Sequence, residues 1–247
     1  MNLENKTILI TGGGSGIGYE TAKLLSQKNN KIIIIGRTID KLRKAAETFE
    51  NVDAIVCDVT DDTAVKALVK NLETKYPDLS VLINNAGKAF KYDHGENANA
   101  YEKALQEIDT NYLSVIRLTE YLLPLLKKQS EAAIVNVTSI VALSPVSVIP
   151  TYSDSKAALH SYTLSLRKVL EETSKIKVYE LLPPTVNTEF SKEIGGETKG
   201  IPAIDVASAL IGGVQNNELE IGVGVTIPFA ENFFPQRLQA FNTINER

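Results

Sequence analysis

The chain has 247 residues but no tryptophan, one methionine, one cysteine and two histidines. Cys57 has no partner for an internal disulfide, and His94 and His160 do not supply a zinc-ligand spacing, so no metal is expected. Aliphatic runs are short, as at Ile32–Ile35, and fall far below the roughly 20 residues that span a bilayer. The first residues, Asn2, Leu3 and Glu4, lead into glycines without the basic start and apolar middle of a signal peptide, so a cytoplasmic location is expected. Lysine plus arginine number 26 against 30 acidic residues, a net charge of −4. That balance gives no general pull toward phosphate backbones or anionic lipid, so neither nucleic acid nor membrane is an expected partner. Repeats, low-complexity stretches and Pro/Ser-rich linkers are missing too, so residues 1–247 read as a single domain.

What is present is an ordinary globular balance, 43% hydrophobic and 23% charged. A chain this long buries roughly 70–75% of its unfolded surface and needs no covalent staple. Short apolar runs at Thr7–Thr11, Lys31–Ile35, Val52–Val56, Val81–Ile83, Ala133–Thr138 and Lys177–Leu182 read as strands. Amphipathic stretches at Ile17–Lys28, Lys41–Phe49, Thr63–Tyr76, Gln106–Lys128 and Tyr152–Thr173 read as helices between them. This alternation predicts an α/β fold of the doubly wound Rossmann type, a parallel sheet with helices on both faces. A weaker strand is expected near Glu220–Val223, and a last helix carrying Phe229, Phe233, Phe234 and Phe241 is expected to pack on the body.

In such a sheet ligands sit beyond the carboxyl ends of the strands. Thr11-Gly12-Gly13-Gly14-Ser15-Gly16-Ile17-Gly18 lies there, between the first strand and the first helix. Glycine allows a tight turn and close approach of backbone to a pyrophosphate, and the helix start adds free N–H donors. The spacing is T-G-x-x-x-G-x-G, with Ile17 where a G-x-G-x-x-G loop needs glycine.

This loop resembles that of the short-chain dehydrogenase/reductase family, and further motifs follow in the family's order. Asn84-Asn85-Ala86-Gly87 follows the fourth strand, Ser139 the fifth, and Tyr152-Ser153-Asp154-Ser155-Lys156 forms Y-x-x-x-K. Asn111 stands at the family's fourth catalytic position. The likeness runs from about Leu3 to Thr188. Within the family, Glu131–Val135 and Lys156–Ser161 resemble bacterial oxidoreductases encoded with teichoic-acid D-alanylation genes.

The resemblance implies a carbonyl/alcohol oxidoreductase using a nicotinamide dinucleotide. Gly12, Ser15, Gly16, Ile17, Gly18, Asn85, Ala86 and Gly87 would shape the cofactor cleft, with Asp58 and Val59 at the adenine edge. Gly36-Arg37-Thr38 ends the second strand without the acid that binds a ribose 2′-hydroxyl. Arg37 instead suits a 2′-phosphate, which favours NADP over NAD. Val186 and Thr188 would meet the nicotinamide carboxamide, although Pro184 replaces the family's glycine there.

The chemical task is to move a proton at oxygen while hydride moves at carbon. Tyr152 is the expected general acid/base, with a phenol whose ordinary pKa of about 10 a nearby lysine cation would lower. Lys156, four residues on, shares its helix face and would also hold the nicotinamide ribose. Ser139 would donate to the substrate oxygen, and Asn111 would hold a water beside Lys156.

On the substrate side, residues 189–202, rich in glycine and charge, are expected to form a lid. Val141, Leu143, Pro145, Val146, Phe190 and Ile194 are candidate pocket residues, while Lys88, Lys91 and His94 read mainly as a solvated loop. His160 is given no chemistry. Apolar positions on the helices of Asn111 and Tyr152, among them Leu118, Tyr121, Leu122, Leu125, Leu159, Leu166 and Val169, are divided between packing on the sheet and the subunit contacts of a homodimer or homotetramer, which the resemblance implies. The rival reading is a non-catalytic dinucleotide-binding regulator or scaffold, which would have no need of a complete Asn-Ser-Tyr-Lys set.

Overall fold

The computed structural model describes residues 1–245. Seven strands form one parallel sheet: β1 (Thr7–Thr11), β2 (Lys31–Gly36), β3 (Val52–Val56), β4 (Leu79–Asn84), β5 (Ala132–Val137), β6 (Ile176–Leu182) and β9 (Glu220–Gly222). Their order is β3-β2-β1-β4-β5-β6-β9. Two short strands, β7 (Val186–Asn187) and β8 (Ile201–Pro202), pair with each other beside it.

The isoleucine run of β2 shows why the sheet is covered twice. Ile32 and Ile34 join one core and Ile33 and Ile35 the other, all four fully buried. Each such side chain contributes about 1.5–3 kcal/mol on leaving water, so neither face can stay bare. On the first face lie α1 (Gly16–Ser26), α2 (Ile39–Thr48) and α8 (Ala203–Asn216), through Ala22, Leu25, Leu42, Ala45, Val206 and Leu210. On the other lie α3 (Asp62–Lys75), α5 (Ser114–Leu126) and α6 (Pro150–Thr173), through Val65, Leu72, Leu118, Leu122 and Leu170.

Three differences from the sequence expectations matter. First, the helix expected over 106–128 is not continuous. α4 (Ala100–Ile108) and α5 are joined by a π turn at Asp109–Leu113. The wider turn re-aims Asn111 into the protein, where its amide finds three partners; such bulges recur at functional sites. Second, α8 adds a helix despite Gly212-Gly213. A Cβ on Gly213 would stand 2.5 Å from Ile221 Cγ1, so that glycine lets α8 close on β9. Third, the tail forms two helices, α9 (Thr226–Phe233) and α10 (Arg237–Asn245), where one was expected. The Phe229 ring lies tilted against those of Phe233 and Phe234, while Phe233 and Ile244 are 68% and 83% exposed.

The expected lid is built of short ordered elements, a 3-10 turn at Glu189–Ile194, α7 (Gly196–Lys199) and β8. Among the described residues no helix is long and apolar enough to cross a membrane.

Candidate active site

The strand order reverses at β1, which pairs with β2 on one side and β4 on the other. The crevice at the carboxyl ends of these strands holds the dinucleotide in folds of this kind. Here it holds two adjoining cavities that share Gly12, Ser15, Ala86 and Gly87. One is lined by Ser139, Tyr152 and Lys156; the other by Arg37, Lys41, Asp58 and Val59.

The wall between them is the glycine loop. Gly12 has φ +67°, a conformation that favours glycine. Gly18 does not line the cleft but lies beneath it, where a Cβ would come 2.5 Å from Gly12 O and 2.6 Å from Asn85 Nδ2. Asn85 Nδ2 donates to Thr11 O at 2.9 Å, and Thr11 Oγ1 accepts from the N–H groups of Asn85 and Ala86 at 2.9 and 2.8 Å. These bonds tie the Asn-Asn-Ala-Gly turn to the end of β1. Ser15 precedes α1 without making a side-chain cap, and the first turn of α1 carries no acid. The N-terminal N–H groups of an eleven-residue helix therefore meet the cleft at Ser15, Gly16 and Ile17, which suits a pyrophosphate.

At the second cavity Arg37 is exposed at the end of β2, and Lys41, on the first turn of α2, adds a second cation that sequence reasoning passed over. Its signal was its place four residues after Arg37. Lys41 Nζ also pairs with Glu189 Oε2 at 2.7 Å, so the charge reaches across to the 189–194 turn. Asp58 is not the cap of α3; that is Asp61, which accepts from Thr63 and Ala64 N–H. Burial opposes ionisation of Asp58, but hydrogen bonds from Thr60 and the charges of Arg37 and Lys88 hold its carboxyl below the usual range. Nearby Cys57 is inert as a nucleophile, since burial and then Asp58 and Asp61 push its thiol up to about 11.

In the first cavity Ser139 follows β5 with extended backbone, and Tyr152 and Lys156 project from α6. Lys156 Nζ donates to Val137 O at 2.7 Å and lies 5.7 Å from the Tyr152 ring centroid. Tyr152 is 8% exposed and Lys156 4%, and burial dominates both. It pushes the phenol above its ordinary value, helped by Glu107 and opposed by a hydrogen bond with Ser139. It pushes the ammonium down to about 8, opposed by Glu180. The expected lowering of the tyrosine is therefore not what this arrangement produces, because desolvation outweighs the hydrogen bond.

Asn111 is fully buried behind the cleft. Its Nδ2 donates to Lys88 O and Ser155 Oγ, and its Oδ1 accepts from Lys88 N–H, each at 2.8 Å. Both amide hydrogens are used in clamping the turn after Gly87 to α6, so the side chain braces these two segments.

The pocket beyond Tyr152 is apolar. Ile140, Val141, Ile149, Phe190 and Ile194 line it, with the Phe190 ring 5.9 Å from that of Tyr152. Leu143, Pro145 and Val146 do not line it, and Pro145 and Val146 are exposed. Lys91 and His94 are exposed outside it, and Lys88 bonds Gln106. Val186 and Thr188 line the same cavity, as do Pro183, Pro184 and Thr185, which the sequence did not single out as contacts. Among the described residues no cluster is suited to a metal ion.

Residues 6–199 match the family model for short chain dehydrogenases. The uncharacterized oxidoreductase DltE of Bacillus subtilis is 38% identical over 225 residues, covering 90% of this chain and 89% of that protein. An NADP-dependent 3-hydroxy acid dehydrogenase of Schizosaccharomyces pombe is 34% identical, covering 76% of this chain and 74% of its own. A crystal structure of 3-ketoacyl-(acyl-carrier-protein) reductase from Brucella melitensis complexed with NADH superposes with a TM-score of 0.80 at 27% identity, covering 90% of this chain and 98% of that one. With a seven-stranded parallel sheet, a glycine loop at its switch point and a family match over most of its length, this chain belongs to the short-chain dehydrogenase/reductase family of oxidoreductases.

Proposed function

We propose that the protein interconverts an apolar ketone or aldehyde and its alcohol with NADP(H), Tyr152 serving as general acid in reduction and general base in oxidation. The carrying observation is that Tyr152, Ser139 and Lys156 line one cavity that adjoins the uncapped start of α1 and the Arg37 and Lys41 cations. The residues present fit a dinucleotide. The N–H groups of Ser15, Gly16 and Ile17 would hold its pyrophosphate over the space that Gly12 and Gly18 leave. Arg37 and Lys41 would hold a 2′-phosphate, Asp58 and Val59 the adenine edge, and Asn85, Ala86 and Gly87 the wall between. Lys156 would hold the nicotinamide ribose, and Val186 and Thr188 the carboxamide. When bound, the dinucleotide supplies or accepts the hydride.

The chain's own residues handle the proton. Burial keeps the Tyr152 phenol protonated, the state that an acid needs before reduction. Ser139 hydrogen-bonds the phenol and would donate to the same substrate oxygen as charge develops there. The phenolate left after donation faces the Lys156 cation. Asn111 keeps the Lys88 turn and α6 in register so that these groups stay together. The wall of Ile140, Val141, Ile149, Phe190 and Ile194 selects apolar substituents and excludes water. The 189–202 segment serves as the lid over them. We take the protein to work in the cytoplasm as a homodimer or homotetramer, which would cover exposed Tyr101, Leu105, Leu113 and Val169.

The test is NADPH oxidation with a panel of ketones and aldehydes. Tyr152→Phe should lose about 10²–10⁴-fold in kcat while still binding NADPH. Unchanged activity in that variant refutes the acid assignment. Tight NADPH binding without turnover of any carbonyl would favour the non-catalytic reading.

A further inference from the structure

Behind Lys156 lies a second buried charge that the chemistry above does not use. Glu180, on β6, is fully buried. Its Oε1 accepts from Thr138 Oγ1 at 2.7 Å, and its two oxygens lie 2.8 and 2.9 Å from His160 Nδ1. Since Nδ1 faces a carboxylate, it is the nitrogen that carries hydrogen. His160 stands one turn after Lys156 on the same face of α6. Thr138 directly follows Val137, whose carbonyl receives Lys156 Nζ. The connections close a loop: ammonium, Val137, Thr138, Glu180, His160 and back along α6 to Lys156. A buried ammonium without a counter-charge is strongly disfavoured, and no carboxylate lies within 4 Å of Lys156 among the described ion pairs. The negative charge that opposes its desolvation is that of Glu180.

We propose that Glu180 is a positioning residue of the reaction: its buried carboxylate, held in place by Thr138 and His160, is the counter-charge to the Lys156 ammonium in the site. Other charged groups near Glu180 are Arg167, further along α6, and Glu220, beside it on β9. Arg167 and Glu220 lie 4.0 Å apart as an ion pair, and Lys156 and His160 sit nearer the catalytic end of the helix. Sequence reasoning left both His160 and Glu180 without a role, because a lone histidine two turns past the tyrosine and a glutamate in a strand carry no motif.

The catalytic meaning of this inference rests on the dehydrogenase reading, but its physical content does not. Lysine side chains labelled with ¹³C at Cε are titrated by NMR in the whole protein, Lys156 being assigned through Lys156→Met. Glu180→Gln, nearly the same in shape, should lower the Lys156 midpoint by about one pH unit, a tenfold change in proton affinity. Thr138→Val should lower it by a fraction of that, and it decides the matter if Glu180→Gln does not fold. The alkaline limb of the pH profile for NADPH-dependent carbonyl reduction should move down with the midpoint, whereas a merely structural role would leave the profile in place. Folded variants whose Lys156 midpoint matches the wild type overturn the proposal, as does a shifted midpoint with an unmoved alkaline limb. If the wild type turns over no carbonyl, the dehydrogenase reading fails, and the midpoint shifts still decide whether Glu180 is the counter-charge.

Discussion

Asn111 Nδ2 donates to Ser155 Oγ at 2.8 Å, joining the π turn after α4 to the residue beside Lys156. Ser155 Oγ in turn donates to Tyr152 O at 2.7 Å. The π turn is thus pinned through buried polar bonds to the helix that bears Tyr152 and Lys156. Asn111→Ala should leave Lys88 and Ser155 groups unpaired and cost about 2–4 kcal/mol in urea denaturation. A loss below about 0.5 kcal/mol would mean that the brace carries no structural weight.

Lys156 makes stability depend on pH in a defined window. Its pKa falls from 10.5 in the open to about 8 in the fold, so between those values the folded state binds fewer protons than the unfolded chain. Stability contributed by this group therefore rises as pH climbs from about 8 toward 10.5, with a slope of up to about 1.4 kcal/mol per unit. Lys156→Met lacks that titration. The difference in Tm between Lys156→Met and wild type should favour the variant most below pH 8 and shrink steadily toward pH 10, as followed by thermal melts. A constant difference contradicts the buried-cation account.

Cofactor choice should follow Arg37. Arg37→Ala should raise the Kd for NADPH roughly tenfold to a hundredfold, about 1.5–3 kcal/mol for bonds to a charged group, while NADH changes little. Fluorescence titration of both nucleotides checks this; equal losses would remove Arg37 from the 2′-phosphate.

Gly18 should behave differently. An added Cβ collides with Gly12 O and Asn85 Nδ2 at 2.5 and 2.6 Å, and backbone cannot swing aside as a flexible side chain does. Gly18→Ala should cost about 1–3 kcal/mol of stability and weaken NADPH and NADH alike. Calorimetry for the first and titration for the second separate this from the Arg37 effect.

The pair between Lys41 and Glu189, 2.7 Å apart but exposed, links α2 to the turn at Glu189–Ile194. Glu189→Gln should quicken NADPH release several-fold at low salt in stopped-flow displacement. The effect should fade near 1 M salt, where the screening length falls to about 3 Å. A salt-independent effect would point to packing instead.

Much of this was legible before any coordinates. The unbroken aliphatic run at Ile32–Ile35, the glycine loop before Ile17 and the four-residue step from Tyr152 to Lys156 are local signals, and local geometry obeys them. Chain order therefore yields the doubly wound sheet, and the family resemblance points to the tyrosine, serine and lysine that line one cavity. Beyond its reach were relations between distant segments. The π turn at Asn111 exists to meet Lys88 and Ser155, and Lys41 faces Glu189 across 148 positions. The Tyr152 phenol is driven up, not down, because desolvation depends on everything packed around it. The Glu180 carboxylate acquires meaning only when β6 brings it beneath His160 and beside Thr138. Short-range patterns are written in adjacent residues, whereas burial and charge pairing are sums over neighbours that the folded chain alone assembles.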